Sequence, residues 1–185
     1  PEFAPLSAGI VLQGYMPDSH GELRRLLEWA AARHRAGGAA IKIRLVKGAN
    51  LAMEQIEAEQ RGWPLAPYGS KADVDASYKR MLDTVIEHAV PGSVRLGIAS
   101  HNLFDIAWAL TQRERLSEPR LIEFEMLEGM APAQSRATRE AAGGLLFYAP
   151  VVADVDRDAS IAYLSRRLDE NSSPDNFLRS LFDIT

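Results

Sequence analysis

Apolar runs alternate with amphipathic segments along the whole chain, and no hairpin signal interrupts them. Runs at 8–15, 40–46, 93–100, 121–127 and 145–151 have the length and composition of buried strands. Helical periods separate them: from Ser19 to the Gly37-Gly38 stop, then 50–60, 72–89, 103–116 and 132–142, with a closing pair at 159–170 and 174–182. Ser19 and Glu22 have the spacing of a capping box, and Ser173-Pro174 that of an N-cap followed by Pro at the first helical position. Strands that alternate with helices form parallel sheets, because a parallel neighbour needs a crossover long enough to hold a helix. The fold class is therefore α/β, built of parallel βα units.

Length limits the architecture next. The chain has 185 residues, enough for one core but short of the ~250 of a complete (βα)8 barrel. Periodicity alone fits an open parallel sheet. Acidic residues number 25 against 21 basic, so charge gives no reason to invoke nucleic acid or an anionic membrane. Without cysteine there is no disulfide, thiol nucleophile or thiolate-bound metal, and with 4 histidines no metal site is expected. That composition suits a reducing cytoplasm. Residues 1–7 read as a lead-in that is either unstructured or left over from cloning, and 1–185 as a single partial domain with no initiator Met.

Ligands of parallel α/β folds sit at the C-terminal ends of the strands. The polar groups there are Gln13 and Tyr15, then Arg44 and Lys47, then His101 and Asn102, then Glu125 and Glu128 beside Leu127, and finally Tyr148. An amide, two cations, an imidazole and a phenol suit an aromatic, anionic ligand. Arg44 interrupts an otherwise apolar strand, where an unpaired charge is costly. Either it pairs with a core carboxylate or it faces an anionic group. Gln13 reads on chemistry alone as a strand-end hydrogen bond, His101 as a satisfied core or capping residue, and Leu127 as core. On the last long helix, Tyr163, Arg166, Arg167 and Glu170 recur at i, i+3, i+4 and i+7 and share a face. Ile161, Leu164 and Leu168 fall roughly opposite and are expected to pack inward. The two arginines are either a solvated basic face or a clamp for one carboxylate.

Taken in order, Leu12-Gln13-Gly14-Tyr15, Arg44 through Ala49, Ser100-His101-Asn102, Tyr148-Ala149-Pro150-Val151 and Arg166-Arg167 with Glu170-Asn171 resemble the motifs of the proline dehydrogenase family. The likeness is to the proline dehydrogenase part of bacterial bifunctional proline-utilisation flavoenzymes, and it runs from about Ile10 to Phe182. It implies part of a (βα)8 TIM-type barrel, with about three βα units upstream. It implies FAD held by Gln13, Arg44, Lys47, Gly48, Ala49, Ser100, His101 and Glu170, with Arg44 as the catalytic cation near the flavin. It implies L-proline held by Arg166 and Arg167, with Tyr148, Tyr163 and Leu127 as pocket walls. The implied reaction oxidises proline to 1-pyrroline-5-carboxylate and passes electrons to a quinone, in the cytoplasm or peripherally at the inner membrane. A pyrroline-5-carboxylate dehydrogenase domain is implied downstream in the parent protein.

This sequence departs from the family where Asn50 stands in place of an aromatic, commonly Tyr, after Lys-Gly-Ala. The connection from Tyr148 to Tyr163 is also longer than in many members, so the lid over the site is expected to differ. A Lys and an Asp that the family uses on upstream strands are not in this chain, so the chain alone is expected to be inactive. Two other readings stand beside this one. Lys47 could serve as a Schiff-base nucleophile in a barrel lyase. The chain could also be a non-catalytic half-barrel that self-associates through exposed apolar edges.

Overall fold

The computed structural model describes residues 3–48 and 50–172, with side chains as far as Arg167 in the last helix. The expected helix at 174–182 and its Ser173 cap lie outside the described residues. The strands are β1 (Gly9–Gln13), β2 (Ile41–Val46), β3 (Val94–Ala99), β4 (Ile122–Leu127) and β5 (Leu146–Tyr148). The helices are α1 (Ser19–Arg35), α2 (Leu51–Arg61), α3 (Lys71–His88), α4 (Leu103–Arg115), α5 (Pro132–Ala142) and α6 (Arg157–Ser172). The 5 strands form one sheet in chain order, the parallel βα arrangement of a TIM-type barrel and the class expected from the sequence.

Two compact units make up the chain: Pro1–Ala99 with Arg113–Glu123, and Ser100–Gln112 with Phe124–Thr185. In the first, β1 pairs in parallel with β2, placing Val11 beside Arg44 and Gln13 beside Val46. β2 pairs in parallel with β3, placing Arg44 beside Gly97. Period-2 alternation decides which face is buried. Ile41, Ile43 and Leu45 are buried, as are Val94, Leu96 and Ile98. The buried stripes of α1 (Leu23, Leu27, Ala30) and α3 (Val74, Tyr78, Met81, Leu82, Val85) complete this core, with α1 packed on α3 and α3 on β2. On the intervening positions Lys42 of β2 binds Glu123 at 2.8 Å, and Arg95 of β3 approaches the same carboxylate at 3.5 Å.

One local expectation is corrected here. Ser19 and Glu22 do not form a capping box. Asp18 is the N-cap residue without a side-chain bond, and the Glu22 carboxylate instead pairs with Arg25 one turn on. The Arg33 guanidinium donates to the carbonyls of Phe3, Ala4 and Leu6 at 2.9, 3.0 and 2.9 Å, and its Nε donates to Ala39 at 3.2 Å. Five N–H donors in a rigid fork let a single arginine gather several carbonyls.

In the second unit β4 and β5 pair in parallel, with Leu127 beside Tyr148. The core side of β4 is Phe124 and Met126. Ser135 of α5 donates to the Met126 sulfur at 3.3 Å. Ala131 caps α5 with φ 47°, a left-handed conformation costly for a residue with a Cβ, and Pro132 follows at the first helical position. α6 differs from expectation: its Ile161 and Leu164 are exposed rather than packed inward.

Tyr78 is fully buried, so Tyr78→Ala is expected to lower unfolding stability by about 3–5 kcal/mol, measured by denaturant titration. Ala131→Gly relieves the left-handed strain and is expected to raise stability by about 1 kcal/mol, read as a higher thermal midpoint.

Candidate functional site

The ends of β1 and β2 are knitted together beyond the ladder. Gly14 donates to the Val46 carbonyl and Tyr15 to the Lys47 carbonyl, both at 2.7 Å, and Tyr68 donates to the Tyr15 carbonyl at 2.8 Å. These bonds bring two of the sequence motifs into one patch. Tyr15 is buried, and its ring lies directly against Gly48, where φ is +127°. A Cβ on Gly48 would meet the ring carbons at 2.5, 2.6 and 2.8 Å. Burial and the Glu54 carboxylate push the Tyr15 phenol above its ordinary range, while a hydrogen bond with Gln13 pulls the other way. The phenol is therefore neutral at physiological pH, and Gln13 is its neighbour.

Lys47 leaves the same strand end. Its ammonium binds Asp75 of α3 at 2.6 Å and lies 5.5 Å from the centroid of the Tyr78 ring. Asp75 also binds Lys71 at 2.6 Å. Burial alone would raise the Asp75 carboxyl, but hydrogen bonds and charge from the two lysines outweigh it and hold the group below its ordinary value. Arg44 is half-buried on β2 between Val11 and Gly97. Asn50 is the exposed N-cap residue of α2, without a side-chain cap bond. Ala49 lies outside the described residues.

The second unit holds another group. Ser100 donates to Asp105 at 2.9 Å and accepts from the Asn102 N–H at 3.1 Å, while Asn102 accepts from the Phe104 N–H at 2.9 Å. Ser100 and Asn102 thus cap the start of α4. His101 faces β4 instead: the Leu127 N–H donates to its Nε2 at 3.1 Å. Nε2 is then the acceptor, so the ring proton sits on Nδ1. That Nδ1 is buried and has no hydrogen-bond partner among the described residues. Burial also pushes the imidazole below its ordinary value of 6.5. Leu127 and Tyr148 stand side by side at the ends of β4 and β5, and the Glu128 N–H donates to the Tyr148 carbonyl at 2.8 Å.

On α6 the Arg167 guanidinium lies 5.1 Å from the Tyr163 ring centroid, so those two share the face that their spacing predicts. Arg166 is exposed and Arg167 half-buried. The side chain of Glu170 lies outside the described residues. Sequence reasoning did not single out Asp75. The available signal was a carboxylate one residue from the apolar stripe of α3, with Lys71 at i−4 and Tyr78 at i+3.

Residues 1–180 match the family model described as Proline dehydrogenase. The chain belongs to the proline dehydrogenase family. Among curated relatives, the bifunctional protein PutA of Salmonella typhimurium is 31% identical over 184 residues, 96% of this chain but 13% of that protein's length. Among solved structures, proline utilization A (PutA) of Corynebacterium freiburgense is 50% identical with a TM-score of 0.84, over 92% of this chain and 18% of that one. PutA of Bdellovibrio bacteriovorus, in a form inactivated by N-propargylglycine, is 38% identical with a TM-score of 0.86, over 98% and 18%. This member of the family therefore resembles part of bifunctional PutA proteins and spans a small share of their length.

Two outcomes are expected. Gly48→Ala sets a Cβ against the Tyr15 ring in a left-handed backbone, and stability is expected to fall by about 3 kcal/mol in denaturant titration. His101 is expected to stay neutral at pH 7 with its proton on Nδ1, read from imidazole nitrogen shifts. Because its folded value lies below 6.5, the unfolded chain takes up the proton first. Its contribution is fully present above that unfolded value and is lost as pH falls through 6.5 toward the folded one. Thermal midpoints of His101→Gln should fall less steeply with pH over that window.

Proposed function

We propose that this chain carries the C-terminal part of a flavin-dependent proline dehydrogenase site, which oxidises L-proline to 1-pyrroline-5-carboxylate within proline catabolism. Family membership supports the reaction class. The single observation that carries the residue assignments is the buried, unpartnered Nδ1–H donor of His101 at the strand ends. An orphan donor in a half-buried ring is costly unless a ligand accepts from it. A flavin offers ring and chain acceptors of that kind. Within the first unit, Gln13 supplies an amide and Lys47 a cation, groups that also suit such a cofactor. FAD, when bound, supplies the hydride acceptor for the proline ring carbon next to nitrogen.

In this reading His101 donates from Nδ1, while the Leu127 N–H fixes its tautomer. Arg44 provides positive charge from within β2, where low local dielectric strengthens it. Lys47, Gly48, Ala49, Ser100 and Glu170 complete the proposed cofactor contacts. For Gly48 the packing supports a narrower role, because its missing Cβ makes room for Tyr15. Ser100 would act through the α4 cap that sets His101. Arg166 and Arg167 hold the proline carboxylate, and stacking on Tyr163 pre-orders the Arg167 fork. Tyr148 and Leu127 form apolar walls. Electrons then pass to a quinone, and a pyrroline-5-carboxylate dehydrogenase domain downstream would take the product onward. Among the described residues no helix is long and apolar enough to cross a membrane, and the proposed setting is the cytoplasm, with peripheral contact at the inner membrane.

A Schiff-base role for Lys47 is opposed by its 2.6 Å pair with Asp75, which favours the charged, non-nucleophilic ammonium. Self-association is proposed through the two outer strands, where Ile10 and Val11 of β1 and Leu146 and Phe147 of β5 are exposed.

Steady-state kinetics on the FAD-loaded full-length protein test the clamp. Arg167→Met is expected to lower kcat/KM for proline about 10- to 100-fold, mainly through KM, with the flavin absorbance unchanged. Unaltered proline kinetics would remove the arginine pair from the site.

A further inference from the structure

We propose that Asp75 is a positioning residue, holding the Lys47 ammonium in one place at the end of β2 so that it meets the flavin already ordered. The proposal rests on Lys47 being a cofactor contact. A lysine side chain carries about 2 kcal/mol of rotamer freedom, so a bare ammonium at a strand end points in no fixed direction. Here it has two anchors on one helix face: the Asp75 carboxylate at 2.6 Å and the Tyr78 ring at 5.5 Å. Residues 75 and 78 are one turn apart on α3.

The anchor is itself closely packed. Tyr78 is fully buried, and its backbone lies so close to Gly14 that a Cβ there would sit 3.3 Å from both Cα and Cβ of Tyr78. The two lysines that share Asp75 are not equivalent. The Lys47 side chain is 23% exposed and that of Lys71 is 50%. Lys71 is thus the outer clasp and Lys47 the inner, ordered cation.

A double-substitution cycle on the full-length apoprotein tests this, with FAD affinity read by titration of flavin fluorescence. Asp75→Asn is expected to weaken FAD binding about 3- to 10-fold, and Lys47→Met by at least as much. In the Lys47→Met background, Asp75→Asn should add nothing, because its effect runs through the lysine. Asp75→Glu, which keeps the charge, should restore affinity to within about twofold, and Lys71→Met should leave it within about twofold. If Asp75→Asn weakens FAD equally in both backgrounds, Asp75 acts on the fold and the proposal is overturned. If Lys47→Met leaves FAD affinity intact, the cofactor reading of Lys47 itself fails. One measurement needs no substitution: the Lys47 Nζ resonance of the native protein should be single and slow to exchange, and a motionally averaged signal would overturn the proposal even if Asp75→Asn does not fold.

Discussion

The first turns of α3, seated on the ends of β1 and β2, are the constraint on which the rest of the first unit depends. Tyr78 fills the core under those ends, and Gly14 lets the helix backbone approach the strand. The loop before α3 is tied to Tyr15 by a backbone bond from Tyr68. Tyr15 in turn lies on Gly48, and Asp75 reaches Lys47. Close packing converts small displacements into clashes, so these contacts hold one arrangement rather than a range of them. Lys47 and Tyr15 are thus carried by closely packed surroundings.

The second unit solves the same task differently. Ser100 and Asn102 spend their hydrogen bonds on the start of α4, which leaves His101 between them as the residue with chemistry to offer. The Leu127 N–H selects its tautomer. After β4, Ala131 keeps a left-handed backbone that a glycine would adopt more cheaply. Strain at a strand-end loop is characteristic of positions where the fold accepts cost for placement.

Much of this was readable in advance, for a physical reason. Period-2 burial on β2 holds residue by residue, and Tyr78, Leu82 and Val85 of the apolar stripe of α3 are buried while Ile86 is half-buried, so strand and helix positions follow largely from local pattern. The motifs around Gln13, Lys47, His101 and Tyr148 could be placed at strand ends because parallel topology puts ligand groups there. Contacts between elements were not legible. Nothing local says that Tyr15 would fill the space beside Gly48, that Asp75 would reach Lys47, or that Arg33 would gather three carbonyls of the lead-in. The capping box failed because Asp18 is the N-cap, which puts Ser19 inside the first turn, and Glu22 pairs with Arg25 instead; spacing does not fix a helix start to the residue. Ile161 and Leu164 have a core-facing period yet are exposed, since periodicity states which side is apolar and not what covers it.

The meeting of Tyr15 and Gly48 limits how this family member can drift. Trimming the ring would open space beside residue 48, yet a backbone at φ +127° would still reject a side chain there. Two independent barriers guard one position, so trimming Tyr15 alone does not license a side chain at residue 48.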